Sequence, residues 1–174
     1  EFNFMRSTTD VSNDYFYGTN QNDVLNSGFG DDVIFGNKGN DTLYGNSGND
    51  GIQGNEGDDK IYGGNGSDSI TPGRGNDLVD GGSGYDEVWF SGNYSDYLIT
   101  GDPENIIIKD NKNFDGIDTI INCEVLRFSN QKFLTSSLKN SAPNGIYFET
   151  NSYSSWNDFN NLISKGTDNI NLPH

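Results

Sequence analysis

Gly36-Asn37-Lys38-Gly39-Asn40-Asp41-Thr42-Leu43-Tyr44, followed at once by Gly45-Asn46-Ser47-Gly48-Asn49-Asp50-Gly51-Ile52-Gln53, sets the period of this chain at nine residues. Working outward, the same frame holds without insertion from Gly18 to Trp89, as eight units that begin at Gly18, Ser27, Gly36, Gly45, Gly54, Gly63, Pro72 and Gly81. Position six is Asp in all eight: Asp23, Asp32, Asp41, Asp50, Asp59, Asp68, Asp77 and Asp86. Position eight is always aliphatic: Leu25, Ile34, Leu43, Ile52, Ile61, Ile70, Val79 and Val88. Position four is Gly in seven units, with Gln21 the exception, and position two is Gly or Asn in all but the first, where Thr19 stands. A short unit cannot bury its apolar side alone, so repetition at fixed phase points to units stacked into a solenoid.

Each recurring residue type has a physical reason. Gly and Asn tolerate the positive φ of a tight turn, which β-branched residues do not. Positions one to six therefore read as a turn and positions seven to nine as a short strand. Alternate strand residues face opposite ways, so the aliphatic at position eight points inward and its neighbours point out. Two nonapeptides make one coil. The expected fold is all-β, a right-handed parallel β-roll with a narrow core of Leu, Ile and Val. Stacking brings Asp23, Asp41, Asp59 and Asp77 to one edge, and Asp32, Asp50, Asp68 and Asp86 to the other. Carboxylates one strand spacing apart, about 4.8 Å, repel unless a cation lies between them. Ca²⁺ suits such a place, because it takes 6–8 oxygen ligands and accepts the backbone carbonyls that glycine turns expose. Mg²⁺ suits it less, preferring strict octahedral geometry and its own water.

Composition agrees with a fold that leans on metal ions. Of 174 residues, 31% are apolar, 23 are glycine, and 26 acidic residues against 10 basic ones give a net charge of −16. So little apolar surface would ordinarily mean disorder. The acidic balance argues against nucleic acid and anionic membranes as partners, since both require basic patches. No stretch is long and apolar enough for a membrane helix, so membrane insertion is not expected. The single cysteine, Cys123, forms no internal disulfide and reads as a small buried hydrophobe between Ile121 and Val125. The only histidine is His174, which leaves no zinc-protease motif and no His-containing triad, so no catalytic residues are assigned and the chain does not read as an enzyme. The opening Glu1-Phe2-Asn3-Phe4-Met5-Arg6 is not a signal peptide. The chain reads as a piece of something larger, with Glu1-Phe2 a cloning remnant.

The pattern G-G-x-G-x-D-x-(aliphatic)-x resembles the RTX family, the hemolysin-type calcium-binding repeat. Gly63-Gly64-Asn65-Gly66-Ser67-Asp68-Ser69-Ile70 fits it at every fixed position. The resemblance implies that each ion lies between a turn and the turn two units later. The earlier turn would give the carbonyls of positions two and four with its Asp: Thr19 and Gln21, Gly28 and Gly30, Asn37 and Gly39, Asn46 and Gly48, Asn55 and Gly57, Gly64 and Gly66. The later turn would give the carbonyls of positions one and three with its own Asp: Gly36 and Lys38, Gly45 and Ser47, Gly54 and Glu56, Gly63 and Asn65, Pro72 and Arg74, Gly81 and Ser83. Eight units pair in this way about six times, so about six or more Ca²⁺ ions are expected. Gln21 makes the first site atypical and Pro72 the seventh turn. Asn13-Asp14-Tyr15-Phe16 fits the end of a degenerate ninth unit, where Asp14 would add an edge site.

Four regions follow: an N-terminal cap with the degenerate repeat over 1–17, the roll over 18–89, a β-rich cap over 90–138, and a C-terminal region over 139–174. A solenoid end must be capped, because an open sheet edge invites aggregation. The stretch from Asp115 to Phe128 resembles the segment that commonly follows RTX blocks, and Asp115 and Asp118 read either as turn residues or as ligands of another ion. Ser154 or Ser155 would cap a short helix carrying Trp156, Phe159, Leu162 and Ile163 and ended by Gly166. The resemblance places an uncleaved secretion signal in the same region. It also implies an exported, extracellular or cell-surface protein handled by a type I secretion apparatus, in which the roll folds on meeting Ca²⁺ outside the cell. Two alternatives remain at this point: a Ca²⁺-rigidified adhesion module with a glycan or surface ligand, using the outward Tyr44, Tyr62 and Trp89, or the non-catalytic part of a secreted enzyme.

Overall fold

A computed structural model describes residues 3–5, 11–112 and 114–140, with the backbone alone for 3–5 and 139–140. The helix expected near Ser154, most of the C-terminal region and Glu1-Phe2 lie outside the described residues.

The strands are β1 (Asn3–Met5), β2 (Tyr15–Tyr17), β3 (Val24–Asn26), β4 (Val33–Lys38), β5 (Thr42–Ser47), β6 (Gly51–Glu56), β7 (Lys60–Gly66), β8 (Ser69–Arg74), β9 (Leu78–Gly84), β10 (Glu87–Trp89), β11 (Tyr97–Asp102), β12 (Asn105–Asp110), β13 (Ile117–Ile121), β14 (Val125–Phe128) and β15 (Gln131–Leu134). They form two sheets, ordered β1-β3-β5-β7-β9-β13-β12-β11 and β15-β14-β10-β8-β6-β4-β2. Consecutive strands of the repeat alternate between the sheets, and pairing within each sheet is parallel from β1 to β13 and from β2 to β14. This is a parallel β-solenoid. Its register follows the period, with Ile34 against Ile52 and Leu43 against Ile61.

The core is the line of position-eight side chains. Leu25, Ile34, Leu43, Ile52, Ile61, Ile70, Val79 and Val88 are all buried, and Phe16, Ile120 and Leu126 continue the line beyond the repeats at either end. One aliphatic side chain per nine residues makes a core one residue thick on each sheet. A second cluster closes the C-terminal end, where Phe90 packs on Phe128 with ring centroids 5.5 Å apart and on Tyr97 at 5.4 Å.

The strands are longer than the sequence reading expects. Positions two and three also pair in the ladder, as Asn37 with Asn55 and Lys38 with Glu56. The turn proper is thus compressed into positions four to six, because each position-four N–H reaches the position-three carbonyl two units on: Gly39 to Glu56, Gly48 to Asn65 and Gly57 to Arg74, all at 2.9 Å. Position two keeps its positive φ inside the strand, at 77° for Asn37, 70° for Asn46 and 78° for Asn55, which is why only Asn and Gly recur there.

The solenoid also runs past the nonapeptides. β2 stacks on β4 with Phe16 opposite Ile34. At the other end β13 stacks on β9 and β14 on β10, in parallel. The antiparallel pair β11–β12 is inserted before β13, and it lengthens the offset between stacked rungs from 18 residues to 41 and 38.

Candidate calcium sites

All eight position-six aspartates are buried, none more than 3% exposed. Their carboxylates form a ladder along each edge. The backbone N–H of each aspartate donates to Oδ1 of the aspartate two units later: Asp23 to Asp41, Asp32 to Asp50, Asp41 to Asp59, Asp50 to Asp68, Asp59 to Asp77 and Asp68 to Asp86, at 2.7–2.9 Å. Asp14 enters the same ladder, its N–H donating to Asp32 Oδ1 at 2.8 Å, so it stands at a sixth position as the degenerate unit predicts.

The other carboxylate oxygen behaves differently. Oδ2 of Asp41, Asp50, Asp59, Asp68, Asp77 and Asp86 is buried without a hydrogen-bond partner. A buried anionic oxygen with no donor is costly, because charge is removed from water with nothing in exchange. Those of Asp41, Asp50, Asp59 and Asp68 face a space that glycine leaves open. A Cβ added at Gly45 would lie 2.5 Å from both Asp50 Oδ2 and the carbonyl oxygen of Gly63. One added at Gly36 would lie 2.5 Å from Asp41 Oδ2 and 2.7 Å from Gly54 O. The pattern repeats at Gly54, between Asp59 Oδ2 and Pro72 O, and at Gly63, between Asp68 Oδ2 and Gly81 O. In each rung the carboxylate of one unit and the position-one carbonyl of the unit two later thus flank one glycine. Among the described residues no three His, Cys, Asp or Glu side chains converge as a metal cluster. A cation held here would therefore draw on backbone carbonyls as well, which suits a hard, oxygen-loving ion with flexible geometry.

The first two units differ. Asp23 Oδ2 accepts the Thr19 N–H at 2.5 Å and its hydroxyl at 2.9 Å, and neither Thr19 nor Gln21 has the positive φ seen at the corresponding glycines. Ser27 stands where six of the eight units have glycine, and its hydroxyl donates to Gly45 O at 2.7 Å. The four units beginning at Gly36, Gly45, Gly54 and Gly63 hold the unaltered arrangement.

Position five carries a second ladder, which the sequence reading missed. There the later unit's N–H donates to the earlier side chain: Asn40 to Asn22, Asn49 to Asp31, Asp58 to Asn40 and Asn76 to Asp58, at 2.7–3.0 Å. The signal was present, since position five is Asn or Asp in six of eight units. Asp118 joins the position-six ladder by accepting the Asp77 N–H at 3.0 Å, whereas Asp115 Oδ2 accepts the Tyr97 hydroxyl. The outward aromatics pack on neighbours. Tyr44 and Tyr62 stack face to face with centroids 5.0 Å apart, and Trp89 lies beneath the Arg127 guanidinium at 4.8 Å. Cys123 is buried, and burial pushes its thiol pKa up.

Burial likewise pushes the carboxyls up from an ordinary 3.8, Asp41, Asp77 and Asp86 to about 6 and Asp50 and Asp59 to about 7, with neighbouring carboxylates adding to the effect. Asp118 reaches about 8 for the same reasons. The folded chain without cations thus holds protons that the unfolded chain releases. Stability from these groups is complete below about pH 4 and is lost as pH rises through about 6–8. In EDTA, far-UV circular dichroism should therefore show more β-structure near pH 5 than near pH 8. With calcium present the order should reverse, because protons compete for the same oxygens.

A parallel roll edged by buried carboxylates and glycine turns belongs to the class of calcium-binding β-rolls. Residues 10–43, 17–52, 44–79 and 53–88 match the family model of the RTX calcium-binding nonapeptide repeat, in four copies. Residues 10–88 therefore carry calcium-binding nonapeptide repeats of the RTX type, folded as a β-roll. Among solved structures it is similar to the extracellular lipase LipA from Serratia marcescens, 25% identical over 59% of this chain and 15% of that one, with a TM-score of 0.32. The chain thus spans 15% of that lipase's length. No curated protein matches it in sequence. No helix among the described residues is long and apolar enough to cross a membrane.

Proposed function

We propose that the roll is a folding switch for an exported protein, disordered at low calcium and ordered outside the cell. The observation that carries this reading is the row of buried, unpartnered Oδ2 atoms of Asp41, Asp50, Asp59, Asp68, Asp77 and Asp86, all but that of Asp77 beside a glycine and a carbonyl of the next coil. Asp23, Asp32, Asp41, Asp50, Asp59, Asp68, Asp77 and Asp86 would hold the ions, together with carbonyls of positions one to four. A bound Ca²⁺ supplies the positive charge that the buried carboxylates need. The chain supplies the rest: glycines that leave room, and an N–H on Oδ1 that fixes each carboxylate. The geometry favours four strong sites, with weaker ones where Thr19 and Ser27 intrude.

The block from Gly18 to Trp89 carries 13 acidic and 3 basic residues, so it repels itself when no cation is bound. An extended chain suits passage through a type I export channel, and binding only the folded form adds stability afterwards. The test is a titration of free calcium followed by circular dichroism. The folding midpoint is expected at about 10⁻⁴–10⁻³ M, the range of extracellular modules. A midpoint below about 10⁻⁶ M, in the range of intracellular sensors and buffers, would overturn the export reading, since the roll would already be folded inside the cell.

A further inference from the structure

In each unaltered rung, Oδ2 belongs to the earlier unit and the carbonyl beside it to the unit two later. The last nonapeptide, Gly81 to Trp89, has no such successor, so Asp86 would stand at an open end if the ladder finished with the repeats. It does not stand there. Asp86 is 0% exposed, and its Oδ2 is buried with no hydrogen-bond partner. What covers it is the link between β13 and β14, the three residues Asn122-Cys123-Glu124. A Cβ added at Gly81 would meet the carbonyl of Asn122 and would lie 2.8 Å from Asp86 Oδ2, which is the arrangement found at Gly36, Gly45, Gly54 and Gly63. Glu124 completes the rung, its Oε2 accepting the Asp86 N–H at 2.8 Å just as Asp86 Oδ1 accepts the Asp68 N–H at 2.9 Å. In register, Ile121 stands with Asp80 and Val125 with Glu87, so three residues here replace the six from Gly81 to Asp86, and the longer glutamate side chain spans the difference.

We propose that Gly81 and Asp86 of the last nonapeptide, with Asn122 and Glu124 beyond it, form a further calcium site that joins the roll to its C-terminal cap. It rests on the calcium reading of the repeats above. The shortened turn offers fewer carbonyls, so water must complete a shell of 6–8 ligands and the site is the weakest of the set. The equivalent rung on the other edge, Asp77 with Asp118, has Pro72 in place of the glycine and is not included. Because Glu124 directly precedes β14, filling this site fixes the strand on which Phe128 and the cap aromatics are built.

The test counts calcium ions per chain by native mass spectrometry at saturating calcium, on the whole chain. It compares the parent with Glu124→Gln, Gly81→Ala and, as a reference for loss of a repeat site, Gly54→Ala. Glu124→Gln keeps an acceptor for the Asp86 N–H but removes the charge. It should bind one ion fewer than the parent, and its Val125–Phe128 amides should exchange faster in calcium while those of β5 to β8 stay protected. Gly81→Ala should match it. An unchanged count and unchanged cap protection in Glu124→Gln overturn the proposal, also if Gly81→Ala does not fold. If Gly54→Ala loses an ion while Glu124→Gln loses none, the repeat reading stands and this site alone fails. If the parent takes up no calcium, both fail.

Discussion

Removing calcium with EDTA at neutral pH is expected to convert the far-UV spectrum from β-sheet to random coil, and restoring calcium should bring it back. The expectation follows from what the roll lacks. Each nonapeptide orders nine residues around a single buried aliphatic, and the backbone entropy lost in that ordering opposes folding. Burying one Leu, Ile or Val returns about 1.5–3 kcal/mol. The ladder hydrogen bonds add modest net amounts, and the buried carboxylates subtract, because an unpaired charge taken out of water costs several kcal/mol. Cations at the edges remove that opposing charge. Hydrogen exchange should show the loss along the whole of β4 to β9, since neighbouring rungs share carboxylates: Asp59 serves both the Asp41 rung and the Asp77 rung through its own Oδ1 and N–H. A chain that keeps its β-sheet spectrum in EDTA would show that the narrow core suffices and that the carboxylate ladder is not what holds the roll.

Most of this architecture was legible because it is local and periodic. Position eight and position six announce the inner line and the carboxylate edges nine residues at a time, with no need to know which coil touches which. What escaped was set by contacts between coils or by broken periodicity. The position-five ladder needs partners 18 residues apart, so a reading of each unit as a self-contained turn gave Asn40 and Asp58 no task. The resumption of the roll at β13 was hidden by the β11–β12 insertion, although Gly116-Ile117-Asp118 stands as Gly75-Asn76-Asp77 does, with Ile117 N–H on Asn76 Oδ1 at 3.1 Å. Glu124 was harder still, being a different residue type at the end of a turn of different length. Ser27 was visible as a departure from glycine, yet only the contact of its hydroxyl with Gly45 O shows that the change falls inside a rung.

Replacing Asp59 with Asn should move stability in opposite directions with and without calcium. Asp59 sits mid-roll, 1% exposed, with Oδ1 on the Asp41 N–H and Oδ2 unpartnered near Gly54 and Pro72 O. Asparagine can keep the Oδ1 acceptor and turn its Nδ2 toward the Pro72 carbonyl. Without calcium the substitution thus removes a buried charge, which burial pushes to a pKa of about 7 and which is ionised at pH 8, and gives an orphaned acceptor position a donor. With calcium it removes an anionic ligand from the middle of the ladder. In EDTA the variant should refold at a lower concentration of a stabilising osmolyte such as TMAO than the parent does. In calcium its folding midpoint should rise about tenfold or more, a change of roughly 1.4 kcal/mol or greater. A carboxylate that only braces the turn would give a variant weakened, or unaffected, to the same degree in both solutions. That result would remove the buried aspartates as calcium ligands and leave them as turn hydrogen-bond acceptors. Opposite signs would tie them to the ion, because only a group that the apo fold tolerates poorly and the loaded fold requires can respond in that way.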